Sequence, residues 1–323
     1  MPVPSSPEAF KIHDAGSYDP LVDSFQALTE RFTKPIADRL LELATPLADQ
    51  SILDVGCGTG VLTLAAAALK PPPRAVTGLD LSAPMLVKAL ALAERAKLDD
   101  TVVFKQGDAE HLEFADASFD TIVSLYALRH FPDPQSALHE MVRVVRPGGV
   151  IVVGVGSAPP MFSRGFIAAV GRRGRDAFDT VRGARPLSAP AFLDALVDEL
   201  WGRGDHSEHA QWTQGVHHYA ASVADMMATA GCVDLQTRWF GNATVIQSIE
   251  DFWGLQSTLS SYARKRIGAA TSTDVESLRG EFTRRCQTTL ANGGSMVYRS
   301  GALVTRASRP AGNLAPPHQP VRH

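Results

Sequence analysis

The sequence predicts an α/β fold: a seven-stranded, mostly parallel sheet with helices on both faces and an inserted helical cap. Two observations carry that expectation. From Ser51 to Gly154, short apolar runs bounded by Gly, Pro or Asp alternate with amphipathic helical stretches, and such alternation yields parallel strands joined by crossover helices. Two further β-type runs, at residues 233–240 and 296–305, follow later helical stretches, the pattern of an antiparallel edge added to a parallel sheet.

The first five strands are expected at residues 51–55, 75–80, 101–106, 119–125 and 150–154. Helix starts divide the chain in the same way. Ser82 caps a helix with Pro84 in its first turn, and Asp133 followed by Pro134 caps the next, because a short polar side chain satisfies the orphan amides and Pro costs nothing at that point. Ser222 to Asp225 reads as a capping box with Gly231 as the stop, Ser248 opens another helix, and a helical excursion spans about 249–291. Residues 1–31 form an N-terminal segment expected to be partly flexible and to close over the site. Residues 32–158 and 216–308 form the core, and 159–215 an inserted cap. The Pro-rich stretch 309–323 is expected to be a disordered tail, having too few apolar residues to order itself.

Composition narrows the function. The chain has 323 residues, is 45% hydrophobic and has a formal net charge of -3, so it has a sizeable core and no broad basic surface for phosphate backbones. A small-molecule partner is therefore expected and nucleic acid is not. The start shows neither a basic nor an apolar signal region. The longest uncharged run, residues 147–163, is broken by Gly and Pro, which suits a strand and its exit loop rather than a membrane span. Cys57, Cys232 and Cys286 are odd in number and unclustered, fitting a reducing, cytoplasmic setting without a metal site. The expected assembly is a monomer or a homodimer.

Chemistry concentrates at the ends of the early strands. Asp54-Val55-Gly56-Cys57-Gly58-Thr59-Gly60 follows the first strand and opens a helix, where main-chain amides can approach a polar ligand. A dinucleotide fingerprint would require Gly at position 61, which is Val61, so the spacing argues against a nicotinamide cofactor. Asp80, at the end of the second strand, is placed to accept from ribose hydroxyls, and Asp108, after the third, from an adenine amino group. Taken singly, the loop could be only a tight turn, Asp80 a solvated strand end and Asp108 a helix cap. Their order along alternating strands is what points to a cofactor.

LDVGCGTG, GLDLS, GDAEHLEF, FDTIVSLYALRHFPDP and RVVRPGG together resemble the class I, Rossmann-like S-adenosylmethionine-dependent methyltransferases, particularly the ubiquinone/menaquinone-biosynthesis-like group, over about residues 32–154. The resemblance implies S-adenosyl-L-methionine as cofactor. Asp54, Gly56, Gly58 and Gly60 would cradle its methionine part and Asp80 its ribose. Leu81 and Met85 would flank adenine, Asp108 and Ala109 would contact its edge, Ser124 would line the pocket near the sulfonium, and Tyr18 would close over the cofactor. The implied reaction is C- or O-methylation of a phenolic, quinone-like or natural-product compound, with N-methylation of a small amine or non-catalytic cofactor binding as alternatives. His130 is the candidate base, against a reading as a packed histidine at the helix start, and Arg129 stands where the group often has another residue. Ser124-Leu125-Tyr126-Ala127 lacks the Pro-Pro-aromatic element that holds a flipped base, and three scattered cysteines do not suit arsenic as acceptor. His206, His209, His217 and His218 with Trp201, Trp212 and Tyr219 are either an acceptor-pocket wall or, the favoured reading, a solvated cluster.

Overall fold

The computed structural model describes residues 6–45, 47–157, 186–203 and 219–312. Strands β1 (Ser51–Val55), β2 (Ala75–Asp80), β3 (Val102–Gln106), β4 (Phe119–Leu125) and β5 (Val145–Gly156) are parallel neighbours in the order β3-β2-β1-β4-β5. Side chains alternate between the two faces, as a strand's period of two requires. Leu53, Ile151 and Val153 pack under helices α6 (Pro134–Val144) and α8 (Tyr219–Thr229), together with Leu138, Met141 and Met227. Ile52, Val123 and Val152 face α3 (Lys34–Ala44) and α4 (Val61–Ala67), together with Leu40 and Leu62. Ile52, Leu53, Ile151 and Val152 have 0% exposure, and each such side chain contributes about 1.5–3 kcal/mol by leaving water.

The capping signals act as expected. Ser82 accepts from the Met85 amide at the start of α5 (Ala83–Ala96), and Asp133 accepts from the Ser136 amide at the start of α6. Ser6 does the same for the Ala9 amide of α1 (Pro7–Gly16). The capping box expected at Ser222 instead falls inside α8, which already runs from Tyr219.

The sheet has eight strands rather than seven. The additional one, β6 (Leu187–Ala189), comes from the inserted segment. Strands β7 (Val233–Ile246) and β8 (Met296–Ser308) are longer than expected and pair antiparallel from Val233↔Ser308 to Ile246↔Met296. The C-terminal half of β8 pairs antiparallel with β5, whereas its first residues pair parallel with β6. One strand therefore joins the core sheet to the cap.

The cap is also larger than the insertion. Helix α7 (Ala191–Trp201) packs with α9 (Ile249–Leu259), α10 (Ser261–Ala269) and α11 (Ser272–Ala291) around the buried Leu193, Phe252, Leu278 and Phe282. The excursion between β7 and β8 thus shares a core with the insertion and with Ala189, Ile246 and Met296 at the ends of β6, β7 and β8. The histidine cluster at 206–218 lies outside the described residues. No helix among the described residues is long and apolar enough to cross a membrane.

Arg309, expected to begin the tail, is instead fastened to the sheet. Its amide donates to Gly149 O at 2.9 Å, and Nη1 donates to the carbonyls of Val142, Arg143 and Val145 at 2.9, 2.9 and 2.7 Å. Those carbonyls are the orphan acceptors at the end of α6. Arg309→Ala is expected to lower the unfolding free energy by about 1–3 kcal/mol, measured by urea denaturation. An unchanged midpoint would show that water replaces the guanidinium without loss.

Candidate functional site

Strand order reverses between β1 and β4, so the loops after these strands leave in opposite directions and open a crevice at their carboxyl ends. A cavity of about 1510 Å³ fills that crevice. It runs from Gly58, Asp80 and Asp108 at one end to Trp239, Asn242 and Tyr298 at the other.

The glycine loop forms the floor of the first end. The amides of Gly56 and Cys57 both donate to Leu79 O, at 2.8 and 3.0 Å, tying the loop to β2. At Gly56 (φ +74) an added Cβ would lie 2.3 Å from that of Ala127, so this glycine permits close packing of the loop after β4. At Gly58 (φ +54) an added Cβ would meet only Phe25, at 3.5 Å, and would project into the cavity. Gly60 caps α4 and packs towards Ala89 and Phe104, away from the cavity lining.

The carboxylates occupy distinct environments. Asp80 accepts from the Gly58 amide at 2.8 Å and the Ser82 amide at 3.0 Å, and burial pushes its carboxyl above the usual range. Asp108 accepts from the Glu110 amide at 2.9 Å and from Lys11 Nζ at 2.7 Å. Lys11 also reaches Glu110 at 2.8 Å. Burial alone would lower the Lys11 ammonium, but these two carboxylates outweigh it and raise it. Asp54 is 1% exposed and not on the cavity wall; it accepts from Thr63 Oγ1 at 2.6 Å, and burial pushes it to about 7. Ser124 is equally buried and donates to Val55 O at 2.8 Å, bracing β4 against β1. Burial holds the Cys57 thiol well above its ordinary value, which disfavours a thiolate nucleophile.

Helix α1 forms one wall. Asp14, 2% exposed, lies 2.6 Å from His130 Nδ1, and its other oxygen makes a 2.7 Å ion pair with Lys265. Burial would raise its carboxyl, but the two partners hold it far below the usual carboxylate range. Burial lowers the His130 imidazole, assisted by Arg129 and Arg264 and opposed by Asp14. A neutral ring donating from Nδ1 to Asp14 leaves the Nε2 lone pair available. Tyr18 sits edge-on to His130 and Phe25, and the Arg264 guanidinium covers its ring at 3.7 Å. Tyr126, directly after β4, has φ +63, a strained conformation of the kind found where backbone serves a site.

The cavity thus gathers Tyr18, Gly56, Gly58, Asp80, Leu81, Met85, Asp108, Ala109 and His130, whereas Asp54, Gly60 and Ser124 stand behind its wall. Lys11, Asp14, Phe25 and Thr59 also contribute, and none was singled out from the sequence. Phe10, Lys11 and Asp14 share the buried face of α1, so charged residues at helical spacing with an aromatic were the available signal. The cradle fits an adenosine-bearing cofactor on two grounds. Gly58 leaves space that any side chain would fill, and Thr59 Oγ1, buried on the cavity wall, has no hydrogen-bond partner. No group of His, Cys, Asp or Glu among the described residues is arranged to hold a metal.

The chain is similar to known proteins. Residues 53–153 match the family model described as a methyltransferase domain. The chain is 31% identical over 221 residues to a nocamycin O-methyltransferase of Saccharothrix syringae, covering 68% of this chain and 72% of that protein. It is 36% identical over 132 residues to a 27-O-demethylrifamycin SV methyltransferase of Amycolatopsis mediterranei, covering 41% of this chain but only 48% of that relative. The fold is similar, with a TM-score of 0.51 and 16% identity, to an N-methyltransferase of Haemonchus contortus solved with S-adenosylhomocysteine, over 96% of this chain and 61% of that one.

Two variants test this site. Gly58→Val is expected to weaken S-adenosylhomocysteine binding by about a hundredfold or more while the protein stays folded, because the new side chain occupies ligand space; calorimetric titration showing unchanged affinity would remove this loop from the binding site. Asp54 behaves through pH. Its folded carboxyl, at about 7, holds a proton that the unfolded chain, at 3.8, has lost, so its contribution to stability falls as pH rises from about 4 to 7, by up to about 1.4 kcal/mol per pH unit. Denaturant melts of the ligand-free protein at pH 5 and pH 8 should show that slope in the wild type and lose it in Asp54→Asn.

Proposed function

The chain belongs to the class I S-adenosylmethionine-dependent methyltransferases, and from that premise we propose that it transfers a methyl group from S-adenosyl-L-methionine to a small-molecule acceptor, at oxygen or at an activated carbon. One observation carries the reading: a single cavity is lined by the glycine loop, Asp80 and Asp108, by His130, and by the aromatic Tyr126, Trp239 and Tyr298. A cytoplasmic enzyme acting on a small molecule, as a monomer or homodimer without nucleic acid, fits the chain's net charge of -3.

When bound, the cofactor supplies a methyl group on a positively charged sulfur, already activated for displacement. The chain's residues hold and exclude. Asp80 would bind the ribose hydroxyls, Asp108 and Ala109 the adenine edge, with Leu81 and Met85 against its faces; Gly56, Gly58 and Thr59 would lie against the methionine part. Asp54, Gly60 and Ser124 would act indirectly, by bracing the loop and the ends of β1 and β4. Tyr18 and α1 would cover the site and keep water out, so that alignment of the two reactants supplies most of the rate.

His130 would take the acceptor's proton at Nε2 while Asp14 holds Nδ1–H and orients the ring. This role suits a hydroxyl acceptor, and two of the relatives are named for methylation at oxygen. The imidazole is pushed below 6.5, so the neutral, proton-accepting form persists through neutral pH and is lost only as pH falls below that value. His130→Ala is expected to reduce kcat by about 10²–10⁴-fold while leaving S-adenosylhomocysteine affinity within a few-fold, and to abolish the acidic limb of the rate profile. Methyl transfer at an unaltered rate would reduce His130 to a packing residue. Failure of S-adenosylhomocysteine to bind the wild type would overturn the whole reading.

A further inference from the structure

The cavity wall beside His130 carries positive charge that no carboxylate among the described residues pairs with. Arg129 lines the cavity, and its Nη2 donates to Ser261 Oγ at 3.3 Å, its one hydrogen bond among the described residues. Arg264, 5% exposed, donates to the same Ser261 Oγ at 3.3 Å. Its remaining donors go to Thr258 O at 2.7 Å and Ser17 Oγ at 3.2 and 3.3 Å, all neutral acceptors. Two guanidinium groups therefore converge on one hydroxyl, and neither has a carboxylate among the described residues. The nearby Asp14 is already shared between His130 and Lys265.

Like charges drawn together in a partly dry cavity repel, and burying a guanidinium without an anion is costly. The arrangement becomes favourable once an oxyanion enters. Arg129 has donors with no partner among the described residues, in a planar fork suited to a carboxylate, and Arg264 adds to the potential from behind. Resting on the proposed methyl transfer, we propose that Arg129 is an acceptor-binding residue and that the acceptor carries a carboxylate or an equivalent delocalised oxyanion next to its methylated group. Arg129 and His130 line the same cavity, and the guanidinium is close enough to disfavour the charged imidazole, so an anion on its fork would bring an adjacent hydroxyl towards that ring. Tyr126, Trp239 and Tyr298 line the same chamber and offer faces for a planar ring.

The test uses the full chain saturated with S-adenosylhomocysteine and a pair of probes of one shape, 3-hydroxy-2-naphthoate and its uncharged amide, 3-hydroxy-2-naphthamide. The wild type is expected to bind the acid about tenfold or more tightly than the amide. That preference should fall to about unity in Arg129→Gln and return in part in Arg129→Lys, with S-adenosylhomocysteine affinity equal in all three as the check that the cradle is intact. Equal affinity for acid and amide in the wild type, or no detectable binding of the acid, overturns the anionic acceptor. A preference that survives in Arg129→Gln overturns the assignment to this residue. Loss of S-adenosylhomocysteine binding itself would strike the methyltransferase reading instead, which keeps the two failures distinct.

Discussion

A carboxylate buried as deeply as Asp14 cannot stand alone, and the need to pair it organises the mouth of the cavity. Moving an isolated charge out of water costs many kcal/mol unless partners surround it. Asp14 meets that need from two directions, His130 from the turn after β4 and Lys265 from α10. The contact binds the N-terminal helix, the catalytic sheet and the cap at a single point. It also sets the tautomer of His130, since an imidazole pressed against a carboxylate keeps its proton on that side. Lys11 repeats the device one turn earlier on α1 by closing on Asp108 and Glu110.

The sheet explains why these groups meet. Parallel strands all present their carboxyl ends at one edge, so Asp54, Asp80, Asp108 and the turn carrying His130, far apart along the chain, arrive on the same side of the molecule. The antiparallel β8 then carries the second half of the site. Its C-terminal half completes the core next to β5, while its first residues extend into the cap and pair with β6, bringing Tyr298 to the cavity wall. The two ends of the cavity are thus built from different parts of one sheet, the parallel core and the β8 extension into the cap.

Much of the cradle was legible in the sequence because it is local. A glycine loop after a strand, and a carboxylate ending the next, are short-range patterns whose geometry follows from neighbours along the chain. At Gly58 the positive φ and open Cβ direction are properties of a single turn. Asp54 and Ser124 illustrate the limit. Both lie at strand ends facing the right edge, yet one turns to Thr63 and the other to Val55 O, because a buried polar group takes whichever partner the packing places nearest. Asp14 and Lys11 gave only a weak local sign, their spacing on one helix face with Phe10, since their partners lie more than ninety residues away along the chain.

The sequence by itself determined the positions of the parallel core strands, most helix starts and the glycine loop, since period-two hydrophobicity, caps and glycines act over a few residues. Tertiary structure alone decided the extent of the cap, the pairing of Asp14 with His130 and the convergence of Arg129 and Arg264 on Ser261. Those contacts join segments distant along the chain, where no periodicity links one residue to another and only the packing of the folded chain selects the partner.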